Sequence, residues 1–406
     1  MGWSISKMSE VTNIISGGTP KSGISDYWFG DVKWITPKDM GKITGIYVSE
    51  TGRNITRLGL EKSSAKLIPE SSVILSTRAP IGHLAINKVP MATNQGCRGL
   101  VPKSTLDTKF LYYFLLKSVS LLNDLGSGTT FKELSKTALE KLEIPHPEIT
   151  EQKRIVAILD QAFADIEQAR AKTEQNLKNA RELFESYLQQ VFSQRGDEVS
   201  LSEITESISD GDHSAPPKSE EGIPFITISN INKLTNEIDF SNTFKVPESY
   251  YSSLKATRKP TVGDILYTVT GSYGIPVIVR DKKEFCFQRH IGLVRPNKNT
   301  NSNWLYYLLM SPQVFKQADE GATGTAQKTV SLKLLRSIKV PNIPLDKQIS
   351  AVKDLDNIYQ KSKKLEYIYT TKLVVIDELK KSILQKAFSG ELTKALEVDK
   401  NKGAVA

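Results

Sequence analysis

Gly128-Thr129-Thr130-Phe131-Lys132-Glu133-Leu134-Ser135 is the stretch on which the fold turns, because it is read again at Gly324-Thr325-Ala326-Gln327-Lys328-Thr329-Val330-Ser331, displaced by 196 residues. The same displacement lays Pro145 on Pro341, Gln152 on Gln348 and Leu159-Asp160 on Leu355-Asp356. It holds without a gap through Leu188-Gln189 against Leu384-Gln385 and Phe192-Ser193 against Phe388-Ser389. Upstream the displacement shrinks by a few residues, so that Gln95 meets Gln288, Gly99-Leu100 meets Gly292-Leu293, and Leu111-Tyr112-Tyr113 meets Leu305-Tyr306-Tyr307. Ile35-Thr36 faces Ile226-Thr227, and Gly82 faces Gly274. Self-similarity at a fixed period marks a duplicated architecture. The chain reads as a globular domain (1–145), a segment (146–196), a second globular domain (197–342), a second segment (343–393) and a flexible tail (394–406).

The two segments read as long helices. From Thr150 to Ser193 there is neither Pro nor Gly, and apolar residues recur at Ile155, Leu159, Ile166 and Leu183 in steps that fit a coiled-coil seam. The second copy repeats the pattern at Leu355, Ile358, Leu365, Leu379 and Ile383. Polar residues, Thr173 and Asn176 in one and Ser362 and Lys372 in the other, interrupt each seam near its middle. An apolar stripe on a helix roughly 60 Å long must be buried against something. The repeated helix is the nearest partner, and an antiparallel pair gives an approximate internal two-fold. Two separate surface helices, each folded back on its own domain, are the alternative. The globular halves are expected to be α+β. Val32-Lys33-Trp34-Ile35, Val73-Ile74-Leu75-Ser76 and Ile265-Leu266-Tyr267-Thr268 read as strands, and 110–117 and 304–310 as short helices.

The 406 residues exceed one ordinary core, and 39% hydrophobic with 24% charged residues is an ordinary globular composition. A net charge of +9, not confined to a tail, favours polyanionic partners without requiring them. Two cysteines, Cys97 and Cys286, exclude a disulfide framework and a four-cysteine zinc site and fit a reducing compartment. No window approaches a membrane span, and 1–11 has no apolar stretch of signal-peptide length, so a cytoplasmic protein is expected.

Catalytic signatures are missing. Ser16-Gly17-Gly18-Thr19-Pro20-Lys21-Ser22 has Pro20 where a phosphate-binding loop needs glycine, so it reads as a turn. His83, His146, His213 and His290 show no metal-ligand spacing, and no Asn/Asp-Pro-Pro-aromatic tetrapeptide of an adenine methyltransferase is present. Polar loops are more informative. Ala92 to Arg98, with Asn94 and Gln95, and its counterpart Phe287 to His290 set amide and guanidinium donors beside a strand, as base or phosphate contacts require. The Gly-Thr-x-x-Lys stretch quoted above suits a phosphate, since glycine admits close backbone approach and Lys132 or Lys328 supplies charge. A plain helix-entry turn uses the same residues.

In this order, and duplicated, the features resemble the specificity subunit of Type I restriction-modification systems over nearly the whole chain. Those that carry the resemblance are Gly324-Thr325-x-x-Lys328-x-x-Ser331, Val340-Pro341 followed by Gln348, and Leu384-Gln385-Lys386-Ala387-Phe388-Ser389-Gly390-Glu391-Leu392. Thr93-Asn94-Gln95-Gly96-Cys97 looks like the family's Asn-Gln-Gly segment, from which Phe287-Gln288-Arg289 departs. The resemblance implies a non-catalytic chain from a bacterium or archaeon. Its two target recognition domains each read half of a bipartite duplex site, and its helices dock two methyltransferase subunits and set the half-site spacing. No cofactor is expected in this chain; S-adenosylmethionine, ATP and magnesium would come with the methyltransferase and restriction subunits. The expected DNA-contacting residues are Thr19, Lys21, Lys38, Arg78, Asn94, Gln95, Arg98, Thr129 and Lys132 in the first half. In the second they are His213, Lys218, Asn230, Ser272, Tyr273, Gln288, Arg289, His290, Thr325, Gln327 and Lys328. A single-chain enzyme, a pure scaffold and a repressor-like binder remain as alternatives.

Overall fold

A computed structural model of the chain describes residues 2–128, 132–193, 197–211, 213, 215–325 and 327–393. The expected tail at 394–406 lies outside them. The chain divides into two compact units, one built from Met1–Lys172 with Lys372–Ala406, the other from Thr173–Thr371. Each unit therefore holds one globular half and part of each long helix.

In the first unit a five-stranded sheet runs in the order Thr12–Ser16, Cys97–Pro102, Val73–Thr77, Ile81–Asn87, Tyr47–Val48. A four-stranded sheet is ordered Arg53–Ile55, Trp28–Ile35, Met91–Thr93, Leu67–Ile68. Ser4–Lys7 pairs antiparallel with Glu143–His146. The second unit repeats this plan. Its four-stranded sheet is ordered Thr205–Asp210, Ile291–Pro296, Ile265–Thr268, Pro276–Ile278. Phe244–Val246, Ile223–Ile226 and Cys286–Phe287 form a three-stranded sheet, and Glu198–Ser200 pairs with Lys339–Pro341. Val73–Thr77 is buried at every position, as expected of a strand covered on both faces.

One short helix covers the main sheet of each unit, Thr108–Lys117 in the first and Ser302–Met310 in the second. Their starts are fixed by side-chain caps: Asp107 Oδ1 accepts from the Phe110 N–H at 3.0 Å, and Asn301 Oδ1 from the Trp304 N–H at 3.1 Å.

The long helices are Ile149–Phe192 and Leu345–Ser389, of 44 and 45 residues. They pair antiparallel in both units. In the first, Lys380 Nζ meets Glu167 Oε1 at 3.0 Å and Arg170 pairs with Asp377. In the second, Ser362 Oγ donates to the Ala180 carbonyl at 2.6 Å, Arg181 reaches Glu366 at 3.5 Å, and the Phe184 and Tyr359 rings lie 5.0 Å apart. Gln152, Leu159, Ile166, Thr173 and Ala180 are all buried at seven-residue steps, as are Gln348, Leu355 and Ser362. The polar interruptions Thr173 and Ser362 are thus inside the seam.

Two expected seam residues are corrected: Leu183 is 46% exposed and Leu379 47%. Beyond Ala180 the buried positions advance in fours, to Phe184, Leu188 and Phe192, so the stripe drifts off Leu183. Between Ile376 and Leu384 the inward place is taken by Lys380, whose ammonium lies 4.9 Å over the Phe163 ring, and Leu379 turns outward. Ile155, Leu159, Ile166 and Leu355 are buried; Ile358, Leu365 and Ile383 are partly so.

Each globular half is fastened to the start of a long helix by one duplicated socket. Gln152 Nε2 donates to the Thr105 and Pro147 carbonyls at 2.9 and 2.8 Å, and its Oε1 accepts from the Asp107 N–H at 2.9 Å. Gln348 repeats this with the Asn299 and Ile343 carbonyls at 3.2 and 2.7 Å and the Asn301 N–H at 2.8 Å. Tyr113 donates to Asp160 at 2.7 Å, and Tyr307 to Asp356 at 2.6 Å. The end of the other helix then completes the core. Leu384, Ala387 and Phe388 pack on Phe110 and Phe114 in the first unit, with Phe388 4.9 Å from Phe110. Phe184, Leu188 and Phe192 pack on Trp304 and Tyr307 in the second, with Phe192 5.8 Å from Trp304.

Candidate nucleic-acid interface

The glycine-rich stretch of the first unit is a strut. A side chain on Gly17 would meet the Asn94 carbonyl at 1.9 Å, so only glycine allows this backbone approach. Trp34 Nε1 donates to the Gly18 carbonyl at 2.9 Å and Trp28 Nε1 to the Lys21 carbonyl at 3.2 Å, while Thr19 donates to Gln95. The turn carrying Thr19 and Lys21 is thereby locked to the turn carrying Asn94 and Gln95. Asn94 Oδ1 accepts from the Gly96 N–H at 3.0 Å and shapes that turn.

Four of the expected segments, those of Lys38, Arg78, Asn94 and Lys132, meet around one cavity of about 400 Å³, lined by Pro37, Arg78, Ala79, Asn94, Gly96 and Glu133. Arg78 and Glu133 form an isolated antiparallel bridge, and Glu133 bridges Ser127 as well. Arg78 Nη1 donates to Glu133 Oε2 at 3.4 Å. Lys21, Lys38, Gln95 and Lys132 are exposed around these turns. Thr129 lies outside the described residues.

The second unit builds the same place from different side chains. Thr270 and Thr329 form the equivalent bridge, and Thr323 the equivalent of Ser127. A cavity of about 290 Å³ is bounded there by Asp210, His213, Thr270, Arg289, His290 and Thr329. His213 Nε2 lies 2.8 Å from Asp210 Oδ2, and Arg258 reaches the other oxygen of the same carboxylate at 3.5 Å. The repeated glycine has its reason here: Gly128 and Gly324 hold φ of +119° and +111°, a left-handed conformation that side chains disfavour. Lys328 Nζ bonds Asp319 Oδ1 at 2.8 Å, and the Tyr273 hydroxyl donates to the same carboxylate while its ring stacks on Phe315 at 5.9 Å. The hydrogen bond that Lys328 donates to Asp319 holds the Asp319 carboxyl below its usual range and raises the Lys328 ammonium. Arg289, Thr325, Gln327 and Lys328 are exposed; Gln288 and His290 are partly so. Lys218 lies over the Phe244 ring at 5.5 Å, and Ser272 accepts from Lys233 at 2.6 Å.

Two expected contacts are corrected. Arg98 is only 9% exposed and donates to Ser16 Oγ at 2.8 Å, its register partner on the next strand; the strand turns it into the domain. Asn230 is 6% exposed, and its amide is spent on Thr227, the Asp239 carbonyl and the Asn242 carbonyl. Glu133, Asp210 and Asp319 were missed, being acidic. The repeat alignment, which sets Glu133 on Thr329 beside the paired lysines, is the signal that marks the first of them.

Among the described residues no group of three or more His, Cys, Asp or Glu could hold a metal ion, and no helix is long and apolar enough to cross a membrane. The family described as Type I restriction modification DNA specificity domain matches residues 1–177 and again 197–369, and the chain belongs to it. The MjaIX specificity subunit of Methanocaldococcus jannaschii is 38% identical over 187 residues, 46% of this chain and 43% of that protein. This chain thus aligns with less than half of that relative's length. The EcoKI specificity subunit of Escherichia coli is 25% identical over 97% of this chain and 89% of its own. Among solved structures, a chain from one described as the complex assembly and conformational transition of the type I R-M system matches with a TM-score of 0.77. It is 21% identical and covers 96% of this chain and 98% of its own. The HsdS subunit from Thermoanaerobacter tengcongensis matches with a TM-score of 0.62 and 20% identity, over 96% and 97%. Both share the fold.

Proposed function

We propose that this chain is the DNA specificity subunit of a Type I restriction-modification complex, without catalytic residues of its own. Residues 1–145 and 197–342 are its two recognition domains, and each reads one half of a bipartite duplex site. The observation that carries this is one backbone frame built twice, with the same bridge, the same left-handed glycine and the same lysine, but with different side chains at its mouth. Such a frame suits a reader of two different half-sites. Polar loops enter the major groove, where all four base pairs are distinguishable, and the lysines fix the register on phosphates.

The segments 146–196 and 343–393 dock two methyltransferase subunits and set the half-site spacing. Apolar side chains left exposed on the second helix support such docking: Tyr367 and Ile368 in the second unit, Val374, Val375 and Leu379 in the first. The methyltransferase subunits bring S-adenosylmethionine and flip the target adenine; restriction subunits bring ATP- and magnesium-dependent cleavage. The complex works in the cytoplasm of a bacterium or archaeon, with which two free, buried cysteines agree. Genome-wide mapping of N6-methyladenine with and without this chain tests the proposal. A bipartite motif that disappears with the chain is the expected result; an unchanged map would refute it.

A further inference from the structure

We propose that Arg78 and Glu133 together confine one base pair of the first unit's half-site to G·C. This rests on the reading of the chain as a sequence-specific DNA binder.

The two residues come from separate segments, yet they form the same isolated bridge that Thr270 and Thr329 form in the second unit. The third member of each bridge, Ser127 or Thr323, is also equivalent. The backbone is held constant while the side chains change from a charged pair to two hydroxyls. In a duplicated frame whose halves read different bases, that is where the difference in reading belongs.

The chemistry of the pair specifies the base. The major-groove edge of a G·C pair presents two acceptors on guanine beside one amino donor on cytosine. A guanidinium presents paired donors, and a carboxylate only accepts. Arg78 and Glu133 lie side by side at 3.4 Å, both partly exposed, and line the same cavity as Pro37, Asn94 and Gly96. They offer two donors beside an acceptor, the complement of that edge. An A·T pair interleaves its donor between acceptors and adds a methyl group, so one member of the ion pair would face a like group without a partner. Thr270 and Thr329, with hydroxyl oxygens 3.4 Å apart, can each donate or accept and impose no such demand.

The test is the N6-methyladenine map of the host carrying R78A, R78K or the double variant R78T/E133T. One position of one half-site, G·C with the wild-type chain, is expected to admit other pairs. Discrimination there should fall roughly ten- to hundred-fold, with the other half-site and the spacer unchanged. T270R/T329E is expected to narrow a position of the other half-site to G·C. R78K keeps the cation and the bridge, so it decides the matter if R78A gives no methylation. A wild-type half-site without G·C, or one unchanged in R78K and R78T/E133T, would overturn the assignment. A wild-type map that does not depend on the chain is a separate outcome, and would overturn the DNA-binding reading beneath it.

Discussion

Lys132 and Lys328 occupy the same turn in the two copies but differ in electrostatic surroundings. Lys328 is bonded to Asp319; at the equivalent position the first unit has Asn123, whose amide is spent on the Ile81 and Val119 carbonyls. An exposed ion pair of this kind adds little to stability, but it offsets one charge at the surface proposed to meet phosphate. Lys132→Ala is therefore expected to weaken binding to every sequence and to lower the salt slope by about one. Lys328→Ala should lower it by less, and Asp319→Asn should raise it. Affinity measured across a salt series checks all three; equal slopes throughout would remove the phosphate roles. Arg98→Ala should act on folding instead, costing about 1–3 kcal/mol by thermal melting and leaving base preference unchanged. The shared place of Lys132 and Lys328 was legible because the turn is written twice. Arg98 and Asn230 were misread because a polar residue beside a candidate loop carries no sign of which way its side chain points.

At the scale of elements, the repeat marked the places where helix and globular half are fastened. Gln152 and Gln348, Asp160 and Asp356, Tyr113 and Tyr307 were all paired by the sequence alignment, and the folded chain joins them to one another or to the same backbone turns. Gln152→Ala leaves the Asp107 N–H and two carbonyls without their partner and is expected to cost about 1–3 kcal/mol in denaturant unfolding, and Gln348→Ala the same. Within the seam, Leu159→Ala should cost about 2–5 kcal/mol and Leu183→Ala within about 0.5, since only the first is buried. Helix existence followed from periodicity and pairing from the repetition of the seam, whereas the antiparallel direction was expected for the two-fold it gives and not read from the period. The exact inward set did not follow, because a strict seven-residue count misses the drift beyond Ala180 and the half-buried Lys380 over the Phe163 ring.

For the whole molecule, each compact unit gathers parts distant in sequence, and neither long helix belongs to one unit alone. If helix length sets the spacing of the half-sites, adding four residues to each helix lengthens it by about 6 Å, close to two base-pair rises of about 3.4 Å. The methylated motif should then carry a longer unread spacer between unchanged halves, which sequencing of methylated sites would reveal. A spacer of the original length would contradict the idea.

The duplicated socket of glutamine, aspartate and tyrosine has a consequence for heredity. Its demands on a globular half are one tyrosine and the carbonyls and amide of a single backbone turn, none of which lies at the cavity mouth. A head exchanged between two such chains, with the crossover in a helix, is therefore expected to find the same socket and, on the reading proposed above, to bring a new target half-site with it.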